Sequence, residues 1–123
     1  MVSQQVKKPI SGVGLHTNNL VHHLPRDGHE VWVIVPDDQI PDGILPYQVK
    51  AVKPPHFSGN QARWISLSWN FSRALAQLTS QEHFDLIHFT DVRESLLYFG
   101  KTPAVGNIND TYSAELHSLA YYR

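Results

Sequence analysis

The 123-residue chain contains no cysteine. That absence excludes disulfides, a thiol nucleophile and thiolate zinc sites together, and it suits a reducing compartment. An excess of one charge is also lacking: ten Lys and Arg stand against eleven Asp and Glu, for a formal net charge of -1. Without a basic surplus there is no electrostatic drive toward nucleic acid or an anionic membrane surface. No apolar run approaches the roughly 20 residues that span a bilayer. The opening MVSQQVKKPISG has no hydrophobic stretch of signal-peptide length. The expected location is cytoplasmic, peripheral to a membrane only if the substrate is a lipid.

What is present is a globular composition. Apolar residues make up 41% and charged residues 17% of the chain, which supports one packed domain rather than disorder. Eight histidines is a high number for this length. His16 and His23 fall two turns apart on one helix, but no H-E-x-x-H spacing or nearby carboxylate completes a ligand set. No metal is expected.

Strand and helix signals alternate along the chain. Residues 1–3 read as the close of a strand, and a polar loop follows over 4–12. Val13, Thr17, Leu20, Val21 and Leu24 recur with the helical period, and Pro25 and Gly28 stop that helix. VWVIV, after Glu30, is apolar at every position, as in a strand buried on both faces. A weaker strand is expected over 47–52. The longest helix is expected over 61–79, with Trp64, Ser68, Phe71, Leu75 and Leu78 on one side and Ile65, Trp69 and Ser72 widening the apolar stripe. Strands over 84–89 and 104–108 enclose a short helix over 93–99, and a last helix is expected over 113–122.

Such alternation builds βαβ units with right-handed crossovers and a parallel sheet. Ligands of these sheets sit beyond the carboxyl ends of the strands. Three turns should share that edge: residues 11–14, Thr90-Asp91, and Asn109-Asp110-Thr111. Gly12 and Gly14 let backbone approach a ligand closely, and the helix they open directs free N–H groups and its positive dipole end outward. A phosphate or diphosphate suits that turn, although the glycines also satisfy a tight turn with no ligand. A dinucleotide site is the competing reading, with Asp37 placed for a ribose. Thr17 stands where that fingerprint has its third glycine, and the loop over 4–12 is too long for its tight turn.

GVGLHTNNLVHHLPRDGHEVWVIVPDD resembles the first βαβ unit of glycosyltransferase family 4, with its GG-V-x-x-H helix and R-x-G-H-E-V turn. Gly12, Gly14, His16, Leu20, Leu24, Arg26, Gly28, His29, Glu30 and Val31 stand in corresponding places. FDLIHFTD is similar to the family's F-D-V-[IV]-H-x-H-D segment through Phe84, Asp85, His88 and Asp91, with Thr90 replacing the second histidine. TPAVGNINDTY is similar to P-V-V-x-T-x-H-D, with Asp110 matching the acid and Asn109 where a histidine usually stands.

The resemblance implies part of the N-terminal domain of a GT-B enzyme. Its expected fold is α/β, a Rossmann-like three-layer α/β/α arrangement with a mainly parallel sheet, serving as a single partial acceptor-binding domain over 1–123. A C-terminal domain carrying Glu-x7-Glu would grip the nucleotide-sugar donor, and no such segment follows in this chain. The implied reaction moves a hexose to a sugar or lipid acceptor with retention and no metal or other cofactor. Gly12, Val13, Gly14, His16, Asp91 and Asp110 are implied in donor-phosphate or acceptor binding, and Asn109 occupies the catalytic histidine's position. Asparagine supplies hydrogen bonds but carries no proton near neutral pH. His16 is open to a packing role beside the sheet, and Asp110 to capping the helix after it. The fragment is expected to be inactive alone and to self-associate. The alternatives are a non-catalytic interaction module of the same fold and, less favoured, a nucleotide-dependent oxidoreductase.

Overall fold

A computed structural model describes residues 1–7, 11–54 and 60–109. Helix α1 (Gly12–His23) precedes strand β1 (Trp32–Pro36) and strand β2 (Gln48–Val52). Helix α2 (Asn60–Gln81), strand β3 (Ile87–Phe89) and strand β4 (Ala104–Gly106) complete the described elements, with 3-10 turns at Asp37–Gln39 and Val92–Ser95. The helix expected over 113–122, and Asp110 with it, lie outside the described residues.

Among the described residues all pairings are parallel. β1 pairs with β2 from Trp32–Gln48 to Pro36–Val52, and β3 with β4 from Ile87–Ala104 to Phe89–Gly106. Val2 bridges Ile34 on one side and Phe89 on the other, so the order runs β2, β1, Val2, β3, β4. The strand end read at residues 1–3 thus makes a single paired residue at the junction of the two strand pairs. Its backbone bonds are short: Val2 N–H donates to His88 O at 2.8 Å, and Thr90 N–H donates to Val2 O at 3.0 Å. Burial of the Met1 ammonium, next to the Trp32 carbonyl, pulls its pKa down to about 5.

β1 explains itself from its sequence. Side chains alternate across a strand, and both sets here find a core. Val33 and Val35 join Val6, Val21 of α1 and Tyr47, whereas Ile34 joins Val2, Phe89 and the α2 residues Leu67, Phe71, Leu75 and Leu78. An unbroken apolar run is what burial on both faces requires.

The two helices bury narrower faces than their apolar residues suggest. On α1, Gly14, Thr17 and Val21 are fully covered. On α2 the covered residues recur as Leu67, Ser68, Phe71, Ala74, Leu75 and Leu78. Ile65 and Trp69, expected to widen this stripe, are instead 55% and 56% exposed. Trp69 sits about 100° around the axis from buried Ser68, and Ile65 about 200° from buried Leu67, so both turn away from the covered face.

Three other boundaries differ from the expectation. β3 starts at Ile87 because Asp85 and Leu86 remain exposed, although Phe84 packs against the α2 core. β4 ends at Gly106, leaving Ile108 74% exposed. The helix expected over 93–99 shrinks to one 3-10 turn at Val92–Ser95. Its start is fixed by a capping box, in which Asp91 accepts from the Arg93 N–H and Glu94 reaches back to the Asp91 N–H.

Candidate functional site

Asp91 and Asn109 stand at the carboxyl ends of β3 and β4, beside Val2 and the turn that opens α1. Ser11 caps α1: its Oγ accepts from the Gly14 N–H at 3.4 Å and donates to Gln5 Oε1 at 2.8 Å. Helix geometry leaves the N–H groups of Gly12 and Val13 without intrahelical acceptors, so both remain donors at the positive end of the helix. A β-carbon on Gly12 would meet nothing within 4 Å. The space beside this turn is open, and no crowding at that position demands glycine.

One turn further, His16 is exposed on α1 and meets His88 of β3 edge-on, with ring centroids 6.4 Å apart. His88 Nε2 lies 3.2 Å from Asn107 Oδ1. Burial is the main force on this imidazole and pulls its pKa below the ordinary histidine value; the Asn107 contact opposes that shift. His88 is therefore a neutral ring near pH 7.

Asp91 is 2% exposed, and its oxygens turn inward. Arg93 donates to Oδ1 from Nε at 2.9 Å and to Oδ2 from a terminal guanidinium nitrogen at 2.8 Å. Burial alone would raise this carboxyl's pKa. The Arg93 hydrogen bonds and charge, with help from Asn109, outweigh burial and hold it below its ordinary value. Arg93 in turn lies over the Trp64 ring at 4.1 Å from the centroid, so α2 braces this pair. Asn109 donates its amide to the Thr90 carbonyl at 2.8 Å and reaches Asp91 Oδ2 at 3.4 Å. The structure thus brings Asn109 and Asp91 into contact.

A buried polar chain connects this cluster to the glycine turn. Thr90 Oγ1 is 3.0 Å from Ser3 Oγ, and Ser3 Oγ is 3.5 Å from Thr17 Oγ1. Thr17 Oγ1 donates to the Val13 carbonyl at 2.8 Å, inside the first turn of α1. Behind Thr90 stands Glu94, fully buried, whose carboxyl accepts from the N–H groups of Gln4 and Asp91 at 3.0 Å each. Motif reading passed over Glu94. Its one sequence signal is the D-x-x-E spacing from Asp91, the mark of a capping box.

A separate hollow of about 530 Å³ opens toward the amino ends of the strands, among Leu20, Leu24, Trp32, Phe84, Leu86 and His88. None of Gly12, Val13, Gly14, His16, Asp91 or Asn109 lines it. Among the site residues described above, His88 alone borders it. Among the described residues no helix is long and apolar enough to cross a membrane.

The family model Glycosyltransferase Family 4 matches residues 10–123. No curated protein and no solved structure matches the chain. A model that covers the glycine turn, β1, the Thr90-Asp91 turn and Asn109 in one alignment fits the helices and parallel strands observed, and this chain belongs to glycosyltransferase family 4.

Proposed function

We propose that this chain forms the acceptor side of a sugar-transfer cleft, as part of the N-terminal domain of a GT-B glycosyltransferase. The supporting observation is the convergence at one sheet edge of the capped glycine turn and the Asp91–Asn109 pair, joined through Ser3, Thr17 and Thr90. In this reading the sheet and its helices form the three-layer Rossmann-like arrangement typical of the family. A hexose passes from a nucleotide-sugar to a sugar or lipid acceptor with retention, without a metal.

The chemistry assigned to each group follows from its surroundings. The N–H groups of Gly12 and Val13 offer hydrogen bonds to charge developing on a leaving diphosphate. His16, exposed one turn away, contacts phosphate or acceptor. Asn109 neither gains nor loses a proton near neutral pH, so its role is to orient the groups around it rather than to act as acid or base. Asp91 holds the edge in shape through Arg93 and Asn109. Asp110 is assigned to acceptor hydroxyls. The donor nucleotide is gripped by the C-terminal domain of the GT-B fold. The protein works in the cytoplasm, beside a membrane when its acceptor is a lipid.

The test pairs a transfer assay with binding. The isotopically labelled chain is titrated with nucleotide-sugars and with NAD while amide resonances are followed, and sugar transfer is assayed in the same samples. Shifts confined to Gly12–Gly14, His16 and Asn109 on addition of nucleotide-sugar are expected. Saturable NAD binding would replace this reading with an oxidoreductase. The inward hydrogen bond of Asn109 to Thr90 O favours a second reading, a non-catalytic module of the same fold. An in-frame donor domain in the gene would decide against it.

A further inference from the structure

Two exposed features of this chain match each other in apolar character and charge. The first is the hollow of about 530 Å³, lined by Leu20, Leu24, Trp32, Phe84 and Leu86. Leu86 keeps 53% of its surface exposed there. Glu30, Glu82 and Asp85 also border the hollow, and no Lys or Arg lines it. His83 lies 3.4 Å from Asp85, and among the described residues none of the three carboxylates is paired with a Lys or Arg.

The second feature is the outer face of α2. Ile65, Trp69 and Arg73 recur every four residues, which places them in one row along the helix. Ile65 and Trp69 are the exposed apolar residues already found to turn away from the sheet. Ala62 and Ala76, one heptad to either side of Trp69, are small and exposed, so the indole stands out from the helix. Arg63 is exposed on the same helix, and Asn70 ties Lys53 to it by donating to the Lys53 carbonyl at 3.0 Å. Residues 60–81 contain no Asp or Glu. This face is apolar and positive where the hollow is apolar and negative.

We propose that the hollow of one chain receives Trp69 of a second copy, with Ile65 beside it and Arg73 meeting the rim formed by Glu82 and Asp85. An indole covered by aliphatic and aromatic walls removes about 150–250 Å² of side-chain surface from water, and tryptophans seated this way dominate many interfaces. The opposite charges fix which surface meets which and steer the encounter. Within one chain the match cannot form, because Glu82 follows directly on α2 and Trp69 lies about 20 Å back along that helix. Residues 110–123 suit the hollow less well by charge, since Asp110 and Glu115 outnumber Arg123. Two different surfaces meet, so the contact is heterologous and joins chains head to tail. It holds whichever ligand the cleft takes.

The deciding experiment uses two variants of the full chain, each keeping one half of the contact. Trp69→Ala loses the insert and keeps the hollow. The double variant Glu82→Lys, Asp85→Lys keeps the insert and reverses the rim. All three positions are exposed, so both variants should fold, with circular dichroism against the wild type as the check. The double variant, labelled with nitrogen-15, is titrated with unlabelled Trp69→Ala and, separately, with its own unlabelled form. Saturable shifts of the Trp69 indole N–H are expected with the unlike partner, at a Kd about ten-fold or more below that of the like pair. Added salt should raise that Kd several-fold.

Pairing along the edge of β4 would treat both variants alike and give no such preference. Equal shifts with either partner, or none with the unlike one, would overturn the proposal. So would nuclear Overhauser contacts from Leu116 or Leu119 to Leu86 within one wild-type chain, which would assign the hollow to the chain's own segment. Should the double variant fail to fold, Leu86→Lys blocks the same hollow and replaces it in the titration.

Discussion

The side-chain amide of Asn109 donates to the Thr90 carbonyl at 2.8 Å and stands 3.4 Å from Asp91 Oδ2. A neutral donor at this position satisfies a main-chain acceptor and a buried carboxylate at once. An acid there would do neither. Asn109→Asp is expected to destabilise the chain by about 2 kcal/mol at pH 7, by losing the donor and setting like charges side by side. Thermal denaturation at pH 7 and pH 4 checks the cause. The deficit should shrink at pH 4, where the new acid accepts a proton, and an equal deficit at both values would exclude like-charge repulsion.

Arg93 has a larger task. It neutralises an almost fully buried carboxylate with two hydrogen bonds while lying over Trp64. Removing one partner of a buried pair leaves an uncompensated charge, so Arg93→Ala is expected to cost about 3 kcal/mol in denaturant unfolding. Asp91 has a depressed folded-state pKa, and the stability it contributes is present above its ordinary value and lost as pH falls through the folded one. Wild-type stability should thus decline below about pH 4, and this acid loss should be weaker in Arg93→Ala. An unchanged acid transition would show that the pair does not set it.

Gly28 ends the turn after α1 with φ at +87°, and nothing lies within 4 Å of where its β-carbon would be. Any penalty for Gly28→Ala is therefore a backbone penalty, expected at about 1 kcal/mol in equilibrium unfolding. A neutral effect would mean that the turn relaxes to another conformation at no cost.

Among the described residues β4 is the last strand of the order, and its residues are apolar. Ala104, Val105 and Gly106 are all exposed, with Phe99 88% and Ile108 74% exposed nearby. Exposed strand edges with apolar side chains pair with other chains. Sedimentation is expected to show concentration-dependent self-association, reduced by Val105→Lys. A monomer at every concentration would refute this.

Much of the fold was legible because local patterns carry it. VWVIV could only be a strand covered on both faces, and Val33, Ile34 and Val35 are each at most 2% exposed. The α1 stop at Pro25 and Gly28 follows from what proline and glycine permit. Periodicity alone overstated α2, because it counts Ile65 and Trp69 as apolar without knowing how far the sheet extends beneath them. The family motifs located Asp91 and Asn109, but not that they touch each other. Glu94 escaped notice because a lone glutamate in a turn is ordinarily a solvated charge.

The alternation of α1, β1, β2, α2, β3 and β4, the α1 stop signals and the glycine turn were determined by sequence alone, since each depends on residues within a few positions of one another. Tertiary structure decided the rest. Ser3 and Thr90 are 87 positions apart, and Gln4 and Glu94 are 90 apart, so no local pattern announces their contact. The burial of Glu94 depends on that assembly, because its N–H and hydroxyl donors from Gln4, Thr90 and Asp91 meet it only once distant turns have closed over it.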